Sequence, residues 1–143
     1  MALYLADSSI WVARRLPDGD DLRQRFLDRF RRGELATCAL VALEVLSGAP
    51  DEAAYGRDWT SVWQALFWLP VGERATQRAL EVQRELLQKD PEPERPATVT
   101  LLIAACAEEA GQDVILWHAD SDLAAICELT GQPQEPEPVP ARA

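Results

Sequence analysis

Four carboxylates stand where the hydrophobic pattern of the chain changes. Asp7 closes the apolar run "ALYLA", Glu44 lies inside "ALVALEVL", and Asp120 and Asp122, one residue apart, follow "VILWHA". Carboxylates gathered with no Lys or Arg among them repel and raise one another's pKa, so such a cluster is costly unless a cation bridges it. Hard oxygen donors suit Mg²⁺ or Mn²⁺, which need only one or two carboxylates each and keep several waters. At a phosphodiester, such an ion polarises the phosphorus and activates a water nucleophile. The four acids together point to metal-assisted phosphodiester hydrolysis. Each also has a plainer use, since Asp7 and Asp120 suit helix N-caps that follow a strand. Glu44 has less of one, because an uncompensated carboxylate within an apolar stretch is penalised unless it faces a site or a partner.

The surrounding elements must bring these acids together. "ALYLA" reads as a buried strand and "SSIWVARRL" as a serine-capped helix. Residues 20 to 32 carry Leu22, Phe26, Leu27 and Phe30 at helical spacing, ended by Gly33. A short strand is expected near Leu35 to Thr37, then a helix through Glu44 to Leu46, a helix over 51–66, a strand in "FWLPV" and a long helix over 73–89. A proline-rich break, "KDPEPERPA", precedes an apolar helix from Thr98 to Gly111. "DVILW" is the clearest buried strand, and "SDLAAICELTG" is the last helix. Strands alternating with helices imply an α/β fold, a three-layer α/β/α sandwich with a mainly parallel sheet. In such sheets ligands gather beyond the carboxyl ends of the strands, where strand order reverses, and that is the edge where these acids fall. Residues 1–131 form the expected domain, and the Pro/Glu-rich segment 132–143 reads as a loose or extended tail.

The 143 residues suffice for one domain, and 48% hydrophobic with 27% charged residues is an ordinary globular composition. No apolar run is long enough to span a membrane, and "MALYLADSS" lacks the features of a signal peptide, so the expected location is the cytoplasm. Cys38, Cys106 and Cys127 have no paired spacing for zinc or redox chemistry and read as small core residues. The net charge of −10 argues against indiscriminate nucleic-acid binding. Between Arg14 and Arg32, however, seven of the fourteen basic residues face only four aspartates, leaving either a solvated helix with internal ion pairs or a basic, substrate-facing surface.

Three segments carry a family resemblance: "LYLADSSIWVA", "CALVALEVLSGA" and "TLLIAACAEEAG" followed by "VILWHADSDLAAICELTGQP". Together they resemble the PIN-domain ribonucleases, in particular the VapC-type toxins of bacterial toxin–antitoxin pairs, over nearly the whole chain. The resemblance implies an α/β/α sandwich, usually dimeric, that cuts RNA (transfer or ribosomal RNA) with Mg²⁺ or Mn²⁺. It also implies a cognate VapB-type antitoxin that holds the enzyme inactive. Asp7, Glu44 and Asp120 then match the metal-site acids, Asp122 is an accessory acid beside Asp120, and Ser9 matches the supporting hydroxyl of the first motif.

One position departs from the pattern. The family has an aspartate three residues ahead of Ile103, where this chain has Thr100. Threonine can cap a helix as aspartate does, but it supplies no charge. Glu92 and Glu94, in the proline-rich loop, are the nearby acids that could. A PIN domain that binds antitoxin or RNA without cutting is therefore the alternative. Leu123 replaces a usual aromatic, and two extra residues lie between Gly111 and His118. His118, the sole histidine, reads better as lining the strand end than as a general base. Trp59 and Trp63, four apart on one expected helix with Trp68 nearby, suit a core, a dimer seam or a stripe that receives an antitoxin helix. A receiver-like signalling domain fits poorly, since the single lysine, Lys89, lies in a helix and not at the end of the last strand.

Overall fold

The computed structural model describes residues 1–90 and 95–140. Five short strands, β1 (Leu3–Ala6), β2 (Leu35–Cys38), β3 (Phe67–Leu69), β4 (Val114–His118) and β5 (Gln134–Pro136), pair in parallel in the order β3-β2-β1-β4-β5. Seven helices connect them: α1 (Ser8–Ala13), α2 (Asp20–Arg31), α3 (Ala39–Leu46), α4 (Glu52–Ser61), α5 (Glu73–Lys89), α6 (Thr98–Ala110) and α7 (Ser121–Thr130). The expected α/β/α sandwich is borne out. Central strands β1, β2 and β4 can be this apolar because parallel sheets are covered on both faces. Leu5, Leu35 and Leu116 are fully or almost fully buried.

The chain builds outward from β1 to β2 and β3, then returns past β1 to β4 and β5, so strand order reverses between β1 and β4. In register, Tyr4 pairs with Leu35 on one side and Ile115 on the other, and Ala6 pairs with Trp117. β1 and β4 therefore end side by side. α1 and α2 cover the face that carries Tyr4 and Trp117, where Phe26 and Arg29 reach the Trp117 ring. α5, α6 and α7 pack on one another and, through α6, on β3 and β4. α6 is apolar almost all round, as a helix enclosed by neighbours should be, with Leu101 and Ile103 through Ala107 buried.

Two expectations change. The helix over 51–66 stops at Ser61, and a separate 3₁₀ turn, Trp63–Ala65, follows. Val62 breaks the helix at φ −130°, ψ −61°, and this lets the Trp63 ring turn inward and stack on Trp11 at 4.2 Å between centroids. Trp63 is thus core, Trp68 donates its indole N–H to the Trp63 carbonyl at 3.0 Å, and only Trp59 of the three is well exposed. The tail is extended but not loose at its start. Gly131, at φ +72°, ends α7 in a left-handed turn, and β5 then pairs with β4 from Leu116 to His118. Arg25 and Arg29 of α2 clamp this strand through Glu137 and Glu135. All three cysteines are buried free thiols, as expected.

Candidate active site

Asp7 is the single residue between β1 and α1, so the strand end and the helix start fix its place together. Its backbone N–H extends the sheet ladder to the Trp117 carbonyl at 2.9 Å. Its side chain caps α1 by accepting from Ser9 N–H at 3.0 Å, and from the Ser9 hydroxyl at 2.6 Å. The Ser9 oxygen in turn accepts the Ala119 N–H at 3.0 Å. One hydroxyl therefore joins the end of β1 to the end of β4, which is the sideways support expected of Ser9.

Asp120 stands opposite as the N-cap of α7, its Oδ1 accepting from Asp122 N–H at 2.7 Å and Leu123 N–H at 3.3 Å. Asp120 and Asp7 thus each cap a helix, the plainer use considered for them, and each lies at the carboxyl edge where β1 and β4 end side by side. His118 Nδ1 accepts the Asp120 N–H at 3.3 Å, so its proton sits on Nε2, which faces Gln134 Oε1 at 2.9 Å. With both nitrogens engaged and the ring 1% exposed, His118 ties the Asp120 turn to β5.

Glu44 differs from its expected setting. The apolar residues around it suggest burial, yet α3 turns Val41, Ala42 and Leu46 inward and leaves Leu43 and Glu44 exposed. Its Oε1 accepts the Ser8 hydroxyl at 3.1 Å. Ser8 was missed by sequence reasoning, although the doublet Ser8-Ser9 after Asp7 was visible: one hydroxyl serves Asp7 and the other serves Glu44. Asp122 lies in the first turn of α7, with its own N–H on Asp120. Thr100 is the third residue of α6, whose N-cap is Ala97 with no side-chain cap bond, so its hydroxyl does not cap the helix. Glu92 and Glu94 lie outside the described residues.

The charges interact. Burial raises the pKa of Asp7 above its ordinary value, Ser9 opposes this, and the charge of Asp120 adds to the rise. Glu44 is also raised, by partial desolvation first, with Ser8 opposing and Asp7 and Asp120 contributing. No Lys or Arg forms an ion pair with Asp7, Glu44 or Asp120 among the described residues. The three carboxylates feel one another but do not close on a point: no group of three Asp, Glu, His or Cys side chains among the described residues is close enough to hold a metal ion. This donor set fits a hard divalent ion that takes one or two carboxylates and fills its shell with water, and not a closed all-protein cage.

The PIN-domain family model matches residues 4–129. The chain belongs to the PIN-domain family. This PIN domain is 31% identical over 134 residues to Ribonuclease VapC18 of Mycobacterium tuberculosis (strain ATCC 25618 / H37Rv), covering 93% of either chain. Its fold is similar to that in the DNA-bound VapBC structure from Salmonella typhimurium (TM-score 0.63, 19% identity, 95% of this chain and 98% of that one). It is similar also to VapBC-1 from nontypeable Haemophilus influenzae (TM-score 0.70, 14% identity, 94% and 97%). The VapC-type resemblance of the three sequence segments is therefore borne out across the PIN domain.

Proposed function

We propose that this PIN domain is a Mg²⁺- or Mn²⁺-dependent endoribonuclease, the toxin of a toxin–antitoxin pair, held inactive by a VapB-type antitoxin. The observation that carries the reading is the set of Asp7, Glu44 and Asp120 around the β1/β4 switch point, mutually repelling and without a basic partner among the described residues. The 31% identity to a VapC ribonuclease supports the choice of RNA, and the VapBC complexes among the fold neighbours support the choice of partner. Asp7, Glu44 and Asp120 would hold the ion, with Asp122 as the accessory acid. The bound ion would supply Lewis-acid polarisation of the phosphodiester and a water of lowered pKa. Ser9 and Ser8 hold Asp7 and Glu44 in place, and the Asp120 cap fixes the start of α7. Transfer or ribosomal RNA is the substrate class, the active form is a homodimer, and the site of action is the cytoplasm. No helix among the described residues is long and apolar enough to cross a membrane.

The test is a gel assay of purified, antitoxin-free protein on transfer and ribosomal RNA with Mn²⁺. Cleavage should appear, vanish with chelator and fall at least about a hundredfold in Asp7→Asn, the order of loss when electrostatic stabilisation of a transition state is removed. Cleavage that survives Asp7→Asn would defeat the reading.

A second reading is favoured by Thr100 alone: a PIN domain that binds antitoxin or RNA without cutting. Thr100→Asp should then create activity, and the helix should accept it, because an acid in the first turn of α6 complements the helix dipole. If wild type cleaves at a rate comparable to the variant, this second reading is wrong.

A further inference from the structure

The turn from β4 into α7 is held by side chains. Ala119 N–H donates to the Ser9 hydroxyl at 3.0 Å, Asp120 N–H to His118 Nδ1 at 3.3 Å, and Asp122 and Leu123 N–H to Asp120 Oδ1 at 2.7 and 3.3 Å. A backbone amide can only donate, so His118 Nδ1 carries no proton and the ring proton sits on Nε2. Nε2 then donates to Gln134 Oε1 at 2.9 Å. Gln134 is carried to the ring by strand pairing: β5 sets it opposite Leu116, two residues before His118 and on the same face of β4. The backbone of His118 is bound to the same strand, since its carbonyl accepts the Glu137 N–H at 2.7 Å. α2 in turn holds β5, through Arg25 on Glu137 and Arg29 on Glu135. A continuous chain of contacts therefore runs from α2 through β5 and the imidazole to the Asp120 N–H.

Asp120 is gripped by its backbone N–H and by Oδ1. With Oδ1 committed to the cap of α7, Oδ2 is the oxygen available to the proposed ion. Packing alone would be satisfied at position 118 by an apolar side chain, and the ring is 1% exposed. What histidine adds is an acceptor aimed at the Asp120 N–H, with its own proton pinned on the far side. Groups that orient a metal ligand from behind are typically worth tenfold or more in metal affinity. We infer that His118 and Gln134 are positioning residues for Asp120: Gln134 holds the imidazole proton on Nε2, and the bare Nδ1 fixes the Asp120 turn so that the carboxylate is presented at the β1/β4 edge. The inference rests on the reading of Asp120 as a metal ligand, and two of its three readouts need no metal.

Long-range ¹⁵N–¹H NMR of the metal-free chain, which has a single histidine, should show the Nε2–H tautomer; a proton on Nδ1 overturns the inference. Two substitutions then separate the two nitrogens. His118→Asn keeps an oxygen near the place of Nδ1, whereas His118→Gln keeps a donor near Nε2 and removes the acceptor. Amide exchange at Asp120 should rise at least about tenfold in His118→Gln and much less in His118→Asn, the outer-partner effect read without metal. The Leu116 amide, bonded to the Pro133 carbonyl at 3.0 Å, gives the baseline for general loosening. Asp120 exchange that rises only in step with Leu116 overturns the positioning role. Mn²⁺ affinity, read from the EPR signal of the free ion, should fall about tenfold in His118→Gln and largely recover in His118→Asn, whichever of the two melts lower. Affinity that follows melting temperature in both variants would make His118 a purely structural residue. Should either core variant not fold, Gln134→Leu on β5 carries the same test from the other end. It frees Nε2, so it should admit the Nδ1–H tautomer, speed exchange at Asp120 and weaken Mn²⁺ several-fold; wild-type behaviour in all three overturns the inference. Wild type that binds no Mn²⁺ would sink the metal reading of the site, while tautomer and exchange still decide whether His118 and Gln134 fix Asp120.

Discussion

At the scale of single residues, what serves the proposed chemistry works against the fold. Asp7 is 4% exposed and lies near another carboxylate, and its pKa is raised by burial first and by Asp120 as well. A carboxyl group with a raised folded-state pKa favours folding while protonated, and that contribution is lost as pH rises through the folded-state value. At neutral pH without metal, the ionised Asp7 is therefore a cost. Asp7→Asn keeps an oxygen for the Ser9 hydroxyl and N–H and removes the charge, so metal-free Asp7→Asn should melt higher than wild type at pH 7. At about 3 °C per kcal/mol for a chain of this length, a gain of a few degrees is expected. It should shrink towards pH 4, and Mn²⁺ should then raise wild type but not the variant. Thermal melts with and without chelator read all three; a variant that melts lower at pH 7 would show that Asp7 is already compensated in the bare protein. Asp7 and Asp120 were legible in the sequence because they stand at strand ends. The exposure of Glu44 was not, since only packing sets which way α3 turns its apolar residues.

At the scale of elements, the strands and helices with clear apolar patterns were readable in sequence, and α5 falls on the expected 73–89. β5 was not readable. "QEP" has no apolar alternation, and strand propensity disfavours proline and glutamate. What makes it a strand is distant: the open edge of β4 and two arginines about a hundred residues earlier. Glu137 accepts from Arg25 and from the Trp117 indole N–H, the latter at 3.2 Å, and its pKa is lowered below the usual carboxylate value chiefly by Arg25. A carboxylate lowered in this way stabilises the fold above its unfolded pKa, and the contribution fades as pH falls through the lower folded-state value. Glu137→Gln should therefore cost about 1–3 kcal/mol near pH 7, as for other hydrogen bonds to charged groups. The gap between wild type and variant should narrow as pH falls below the ordinary glutamate value of 4.5. Urea unfolding across a falling pH series would reveal it, and a gap that does not narrow at all as the pH falls would assign the effect to packing and not to charge.

At the scale of the whole molecule, a chain of net charge −10 must admit a polyanion if it cuts RNA. The basic stretch from Arg14 to Arg32 looked in sequence like either a solvated helix or a substrate-facing surface. The fold divides it: Arg23, Arg25 and Arg29 are spent on Asp20, Asp21, Glu135 and Glu137, while Arg14, Arg15, Arg31 and Arg32 have no carboxylate within ion-pair distance among the described residues. Long-range forces on an approaching RNA are then repulsive, and attraction begins only at short range. Salt separates the two. The Debye length falls from about 30 Å at 0.01 M to about 8 Å at 0.15 M, against a radius of gyration of about 15 Å for a domain of this length. Moderate salt therefore hides most of the body from the RNA while leaving partly buried donors such as Arg14 nearly unscreened. Association of single-stranded RNA with Asp7→Asn, followed by stopped flow, should accelerate several-fold between 0.01 and 0.15 M KCl. A basic nucleic-acid binder behaves in the opposite way, because steering by opposite charge weakens with ionic strength. A steep fall in association rate over this range would mean that the RNA meets a positive face, and an attraction that acts only at short range would have to be abandoned.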